Sequence, residues 1–215
     1  MKGVIAKDLY EIFDGKKKIL TTVISYIAIV IFVKLLLGND FSVFLSTIFF
    51  PIICVPSMMI LITVSDGKSN YPKYMLTTPV TRSDIINSKY ILGIFSLVVN
   101  MIILFITLDI NNNKSSFREI FILVLLSTII SLFIMAVEFP NFILLGSRGM
   151  ILNMILSFIW IIFIVNGPFV GLLELRVNTI YFVYSILIKS LLAASLIFLL
   201  SNLLTKYFYN KKDFG

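Results

Sequence analysis

At 215 residues, 59 % hydrophobic and only 13 % charged, the chain carries more apolar surface than a soluble fold of its size can bury, so lipid must cover part of it. The formal net charge of +7 fits the anionic inner leaflet of a membrane and calls for no nucleic acid. With no histidine, the chain lacks the commonest metal ligand and catalytic base, which excludes an H-E-x-x-H zinc site and a Ser-His-Asp triad. With one cysteine, Cys54, no intrachain disulfide forms; it reads as a small apolar filler.

In chain order, the first element is a short amphipathic helix. Val4, Ile5, Leu9, Ile12 and Phe13 recur at helical spacing, while Lys2, Lys7, Asp8 and Glu11 take other faces. Asp14 and Gly15 end it, and Lys16, Lys17 and Lys18 mark a membrane interface. The expectation is a helix lying along the inner leaflet, within residues 1–18, rather than a solvated tail.

Six apolar runs follow, at Ile19–Leu37, Phe41–Val64, Ser88–Leu108, Phe117–Val137, Met150–Val165 and Thr179–Leu204. Each reads as a transmembrane helix. The first has no small-residue cleavage pattern, so it reads as a retained span rather than a signal peptide. The second contains Pro51 and Pro56 and is expected to be kinked or locally broken. The fifth is short and runs into Asn166, Gly167 and Pro168; it either spans with mismatch or is re-entrant. The fold class is therefore an all-α membrane protein, a single domain over residues 1–215.

Lysine and arginine crowd into the N-terminal segment, loops 65–88 and 138–149, and the C-terminal segment; the opposite side holds only Lys114, Arg118 and Arg176. By the positive-inside rule both termini are cytoplasmic, as six spans require.

Lys34 and Lys189 lie inside spans. Lys34 stands 16 residues beyond Lys18, about 24 Å, and Lys189 stands 17 residues from Lys206, about 26 Å. Both therefore approach the outer interface at similar height. They read either as snorkelling anchors or as groups lining an outward vestibule, where Lys189 meets acidic cargo or Glu174.

Between the second and third spans the chain reads "YPKYMLTTPVTRSDIINSKY", residues 71–90. A short helix over Tyr71–Thr77 is capped by Ser69 or Asn70 and stopped by Pro79. Thr81 is an N-cap, Asp84 completes a near capping box, and Val80 with Ile85 occupies a hydrophobic staple. The stretch is thus a crossing helix, a rigid turn and a defined restart. That suits a passage for force to a soluble partner, and it also suits a well-made connector.

Residues 76–94, "LTTPVTRSDIINSKYILGI", resemble the signature of ABC-2 family permeases, the membrane subunits of one class of ATP-driven transporter. The match runs through Pro79, Val80, Thr81, Arg82, Asp84, Ile85 and Lys89. The opening "MKGVIAKDLYEIFDGKKK" and the closing "NLLTKYFYNKKDF" also resemble small six-span members, while "SNYPKY" departs from their usual acidic lead. The resemblance implies a coupling helix with Tyr71, Lys73, Tyr74, Met75 and Leu76 as contacts to an ATPase and with Arg82 and Asp84 fixing the turn. It makes the N-terminal element a connecting helix and "EFPNFILLGSRGM" a second cytoplasmic contact.

The implied partners are a separate ABC ATPase chain, which would bind ATP and Mg, and a second copy or a sister permease. Gly67-Lys68-Ser69 has only the tail of a P-loop, since Ile62 stands where its first glycine belongs, and no cofactor is expected in this chain. The expected setting is a bacterial plasma membrane, with lipids around the spans. A largely apolar pathway suits export of hydrophobic or amphipathic cargo, best peptides of antimicrobial or toxin type. The rival reading is a non-transporting immunity or binding protein that sequesters a peptide; an intramembrane protease fails for want of an acidic pair, since Glu138 stands alone.

Overall fold

The computed structural model describes residues 2–13, 59–64, 80–111, 117–166 and 180–211, together with positions 28, 32, 35, 47, 52 and 66. Most of the first two expected spans, including Lys34, Pro51, Cys54 and Pro56, lies outside the described residues. Among the described residues there is no strand. The helices are α1 (Lys2–Phe13), α2 (Arg82–Asn111), α3 (Phe117–Leu145), α4 (Ser147–Asn166) and α5 (Ile180–Asn210).

Three helices have stretches long and apolar enough to cross a membrane, Arg82–Phe105, Ile120–Leu145 and Tyr184–Asn210, and α4 adds a shorter apolar stretch, Arg148–Trp160. Ile151, Met154, Ile155 and Phe158 of α4 and Leu192, Leu196, Leu199 and Leu203 of α5 are exposed. An outer surface of this kind is stable in hydrocarbon, where every backbone group is already paired within its helix.

The central element is α3, which packs against α2, α4 and α5. Its end differs from the sequence expectation. The charge of Glu138, with Pro140 and Asn141 close behind, suggested a cytoplasmic loop over 138–149. The helix instead continues through Pro140 to Leu145, and α4 begins after one turn residue. Gly146 makes that turn with φ of 59°, the left-handed conformation that glycine adopts without a Cβ clash, and its N–H donates to Phe142 O at 3.0 Å. Gly149 allows the returning helix to sit against α3: a Cβ there would stand 2.1 Å from Asn141 O.

Proline within a helix leaves the carbonyl four residues earlier without its donor. For Pro140 that carbonyl is Ala136 O, and Ser201 Oγ of α5 donates to it at 2.7 Å. Thr205 Oγ1 lies 2.7 Å from Ser201 O. Tyr90 Oη of α2 lies 2.8 Å from Ser201 Oγ and 2.9 Å from Thr205 Oγ1. Ser201 has its proton committed to Ala136 O, so Tyr90 donates to Ser201 Oγ, while between Tyr90 and Thr205 either oxygen can be the donor. Its ring meets Phe139 edge-on, with centroids 5.7 Å apart, and Phe198 at 5.2 Å. One tyrosine thus joins three helices through both its apolar body and its polar tip.

A double-mutant cycle tests this account. Ser201→Ala is expected to cost about 1–3 kcal/mol, because it strands a buried carbonyl. In a Pro140→Ala background the helix supplies its own donor, and the same substitution is expected to cost measurably less, a coupling of about 0.5–3 kcal/mol. Thermal unfolding of the four purified proteins in detergent measures it; additive costs would contradict the assignment.

Candidate functional site

The start of α2 is built as a firm helix beginning. Thr81 Oγ1 accepts from Asp84 N at 3.1 Å and donates to Asp84 Oδ2 at 2.8 Å. Thr81 O accepts from Asp84 N at 3.0 Å and from Ile85 N at 3.3 Å. The carboxylate of Asp84 also stands in the first turn, where the helix dipole favours negative charge. Val80 packs with Ile85, and Val4 of α1 joins them in one buried cluster.

Arg82 reaches across to another helix. Its Nη1 donates to Asn210 O at 2.8 Å and lies 3.4 Å from Tyr209 O, the last carbonyls of α5. A cation at a helix C-terminus satisfies carbonyls that have no partner within the helix and complements the negative end of its dipole. The resemblance assigned Arg82 to the turn itself; the structure places its guanidinium on α5.

Helix α1 packs on α2. Its inner face holds Val4, Ile5, Asp8 and Leu9, while Tyr10 is exposed. Asp8 follows Val4 by four residues and so shares its face, although its charge suggested an outward position. Lys7 Nζ pairs with Asp66 Oδ1 and stands 3.3 Å from Asp8 Oδ1. Lys89 Nζ of α2 meets Asp66 Oδ2 at 2.7 Å. Asp66, Asp8 and Lys89 are all buried. Asp66, held between Lys7 and Lys89, thus ties α1, the segment at Asp66 and the first turns of α2 together, with Asp8 buried beside them. Among the described residues neither oxygen of Asp8 accepts a hydrogen bond, and its pKa is raised by burial, which outweighs the opposing pull of Lys89 and Lys7.

A second polar group joins α3 and α4. Asn141 Nδ2 donates to Asn153 Oδ1 at 2.7 Å, and Asn153 Nδ2 donates to Glu138 O at 2.9 Å. Ser157 Oγ lies 2.9 Å from Asn153 O and 3.2 Å from Glu138 Oε1.

Of the residues expected to carry function, Thr81, Arg82 and Asp84 are described and lie within one turn of each other. Tyr71, Lys73, Tyr74, Met75, Leu76 and Pro79 lie outside the described residues, as does Lys34. Lys189 is exposed on α5, away from this assembly at the other half of the helix. Sequence reasoning missed the roles of Asp66, Tyr90 and Ser201. The available signal was the isolated acid Asp66 just after an apolar run, together with Lys7 and Lys89 inside the stretches that carried the resemblance. Those three stretches converge in space: Lys7 and Asp8 come from the first, Arg82 and Lys89 from the second, and Thr205, Tyr209 and Asn210 from the third.

Among the described residues the protein is all-helical with membrane-length apolar helices, the make-up of a multi-pass membrane protein. The family described as "ABC-2 family transporter protein" matches residues 3–210, nearly the whole chain, and the chain belongs to that family. The family forms the transmembrane component of its transporters, is not itself catalytic, and generally pairs with an ABC ATPase. No curated protein and no solved structure matches the chain.

Two outcomes are expected at the junction. Asp66→Asn takes the bridging counter-charge from buried Lys89, while Lys7 keeps Asp8 at 3.3 Å, and is expected to cost about 3–5 kcal/mol. Limited proteolysis should then cut near α1 much faster, and unchanged cutting would show that α1 is held by Val4 and Ile85 alone. Asp8 carries the opposite sign. A carboxyl whose folded pKa lies above its ordinary value of 3.8 adds stability below that value and loses it as pH rises through the raised one. Asp8→Asn should therefore raise the unfolding temperature at neutral pH and flatten its decline above pH 3.8, read by unfolding scans across pH.

Proposed function

We propose that the chain is the membrane-spanning permease subunit of an ATP-driven exporter, with six spans and both termini in the cytoplasm. The observation that carries the reading is the convergence of the three family-like stretches on one junction. There the residue after the Pro79 turn, Val80, packs directly on α1 and Ile85. A push delivered through residues 71–77 would arrive at a braced point. Arg82 hands it to α5, Val4 and Lys7 hand it to α1, and the capped start of α2 hands it to the bundle.

The ATPase is a separate chain that holds ATP and Mg, seated against Tyr71, Lys73, Tyr74, Met75 and Leu76. Two permease subunits, identical or sister, face each other. ATP-driven closure of the ATPases brings the coupling helices together and rocks the two halves as rigid bodies, which closes the inner side of the pathway and opens the outer. The cargo is hydrophobic or amphipathic, with peptides the best fit to a pathway poor in charge; Lys189 and Lys34 lie near its outer end. The setting is a bacterial plasma membrane.

The test is capture of the ATPase. Tyr74→Ala combined with Leu76→Ala removes an aromatic and an aliphatic anchor from a short exposed helix, and such anchors carry most of the energy of an interface. The double variant should insert normally but lose most of the ATPase in a pull-down. Undiminished capture would reject the assignment of 71–77 as the coupling helix. Absence of any co-purifying ATPase from the unaltered protein would favour the sequestering alternative.

A further inference from the structure

Among the described residues, Glu138 of α3 is a buried ionisable group with no part in the junction. It is 0 % exposed within the apolar stretch Ile120–Leu145. Among the described residues its Oε2 has no hydrogen-bond partner, and its Oε1 has only the Ser157 hydroxyl, 3.2 Å away.

The protons around it can be counted. Ser157 has one proton, and Asn153 O, at 2.9 Å, can only accept it. That proton goes either to Glu138 Oε1 or to Asn153 O, and in the second case Ser157 Oγ is an acceptor toward Glu138. Asn153 makes no recorded bond to the carboxyl: one N–H of its amide serves Glu138 O, and its Oδ1 accepts from Asn141. With the serine proton on Asn153 O, the contact at 3.2 Å is made by the glutamate's own proton.

Charge leads to the same result. Helix α4 carries one charged side chain, Arg148, and it is exposed. On α2, Lys89 is paired with Asp66 and Arg82 is bound to the end of α5, while Asp84 is held by Thr81 and the Tyr90 hydroxyl is engaged by α5. On α5, Lys189 and Lys211 are exposed and Lys206 lies in the last turns. Glu138 makes no ion pair with a described residue. An unpaired carboxylate in such surroundings costs several kcal/mol, whereas a neutral acid needs only one acceptor.

We propose that Glu138 is a proton-binding site: a protonated carboxylic acid whose O–H donates to Ser157 and holds α3 to α4. When water enters between the two helices, the O–H bond breaks, the electron pair stays on the carboxylate, and the proton passes to that water. The ligand is a proton, and its release accompanies loosening of the α3–α4 hairpin. This site is independent of the ATPase coupling proposed above.

Infrared spectroscopy of the full chain in lipid tests it. The neutral-pH spectrum should contain a protonated-carboxyl C=O band that is abolished in Glu138→Gln and retained in Asp8→Asn. The glutamine amide can still donate to Ser157, so the variant is expected to fold. Should it not, Ser157→Ala gives the same assignment by shifting the band without removing it. A spectrum with no protonated-carboxyl band, or with one that neither variant changes, overturns the proposal.

Discussion

The described bundle depends on one buried carbonyl that its own helix cannot pair. Pro140 interrupts the most buried helix and leaves Ala136 O without its usual donor, inside a segment surrounded by hydrocarbon and apolar side chains. Such a carbonyl has no water to turn to, so its demand fixes where α5 must lie. Ser201 answers it, Thr205 and Tyr90 complete the arrangement, and Phe139 and Phe198 enclose the tyrosine ring. A proline that would end a helix in water here selects the neighbour of a helix in lipid.

The junction beside this hub obeys a different logic. Hydrophobic packing alone would let α1 slide along α2, since Val4 and Ile85 are small contacts with no directional preference. The charges remove that freedom. Asp66 stands between Lys7 and Lys89, so the N-terminal helix, the segment leaving residues 59–64 and the base of α2 keep one relative position. Arg82 adds the end of α5 to the same assembly.

How much of this was legible in the sequence varies with the range of the interaction. The start of α2 was readable because its signals are local: Thr81, Asp84, Val80 and Ile85 lie within six positions, and each has a fixed part in beginning a helix. The end of α3 was not, because Glu138, Pro140 and Asn141 are locally the marks of a loop. What keeps them helical comes from Ser201 and Asn153, which are distant in sequence or lie on the next helix. Asp8 was placed outward for the same reason: its charge is local, but Lys89 and Asp66, which share its burial, belong to separate segments. The expected coupling residues before Val80 and the vestibule role of Lys34 fall outside the described residues, and Lys189 is described only as exposed.

The link from Ser201 to Ala136 spans 65 residues of sequence, and this has a consequence for biosynthesis. Chains enter the membrane from their N-terminal side, so the proline-broken carbonyl and the Tyr90 hydroxyl are in lipid before their partners have been translated. Until the last helix arrives, α2 and α3 hold polar groups that the bilayer cannot satisfy. A nascent chain stalled before Ser201 is therefore chemically distinguishable from a finished one, and the arrival of a single serine converts an exposed defect into a closed core.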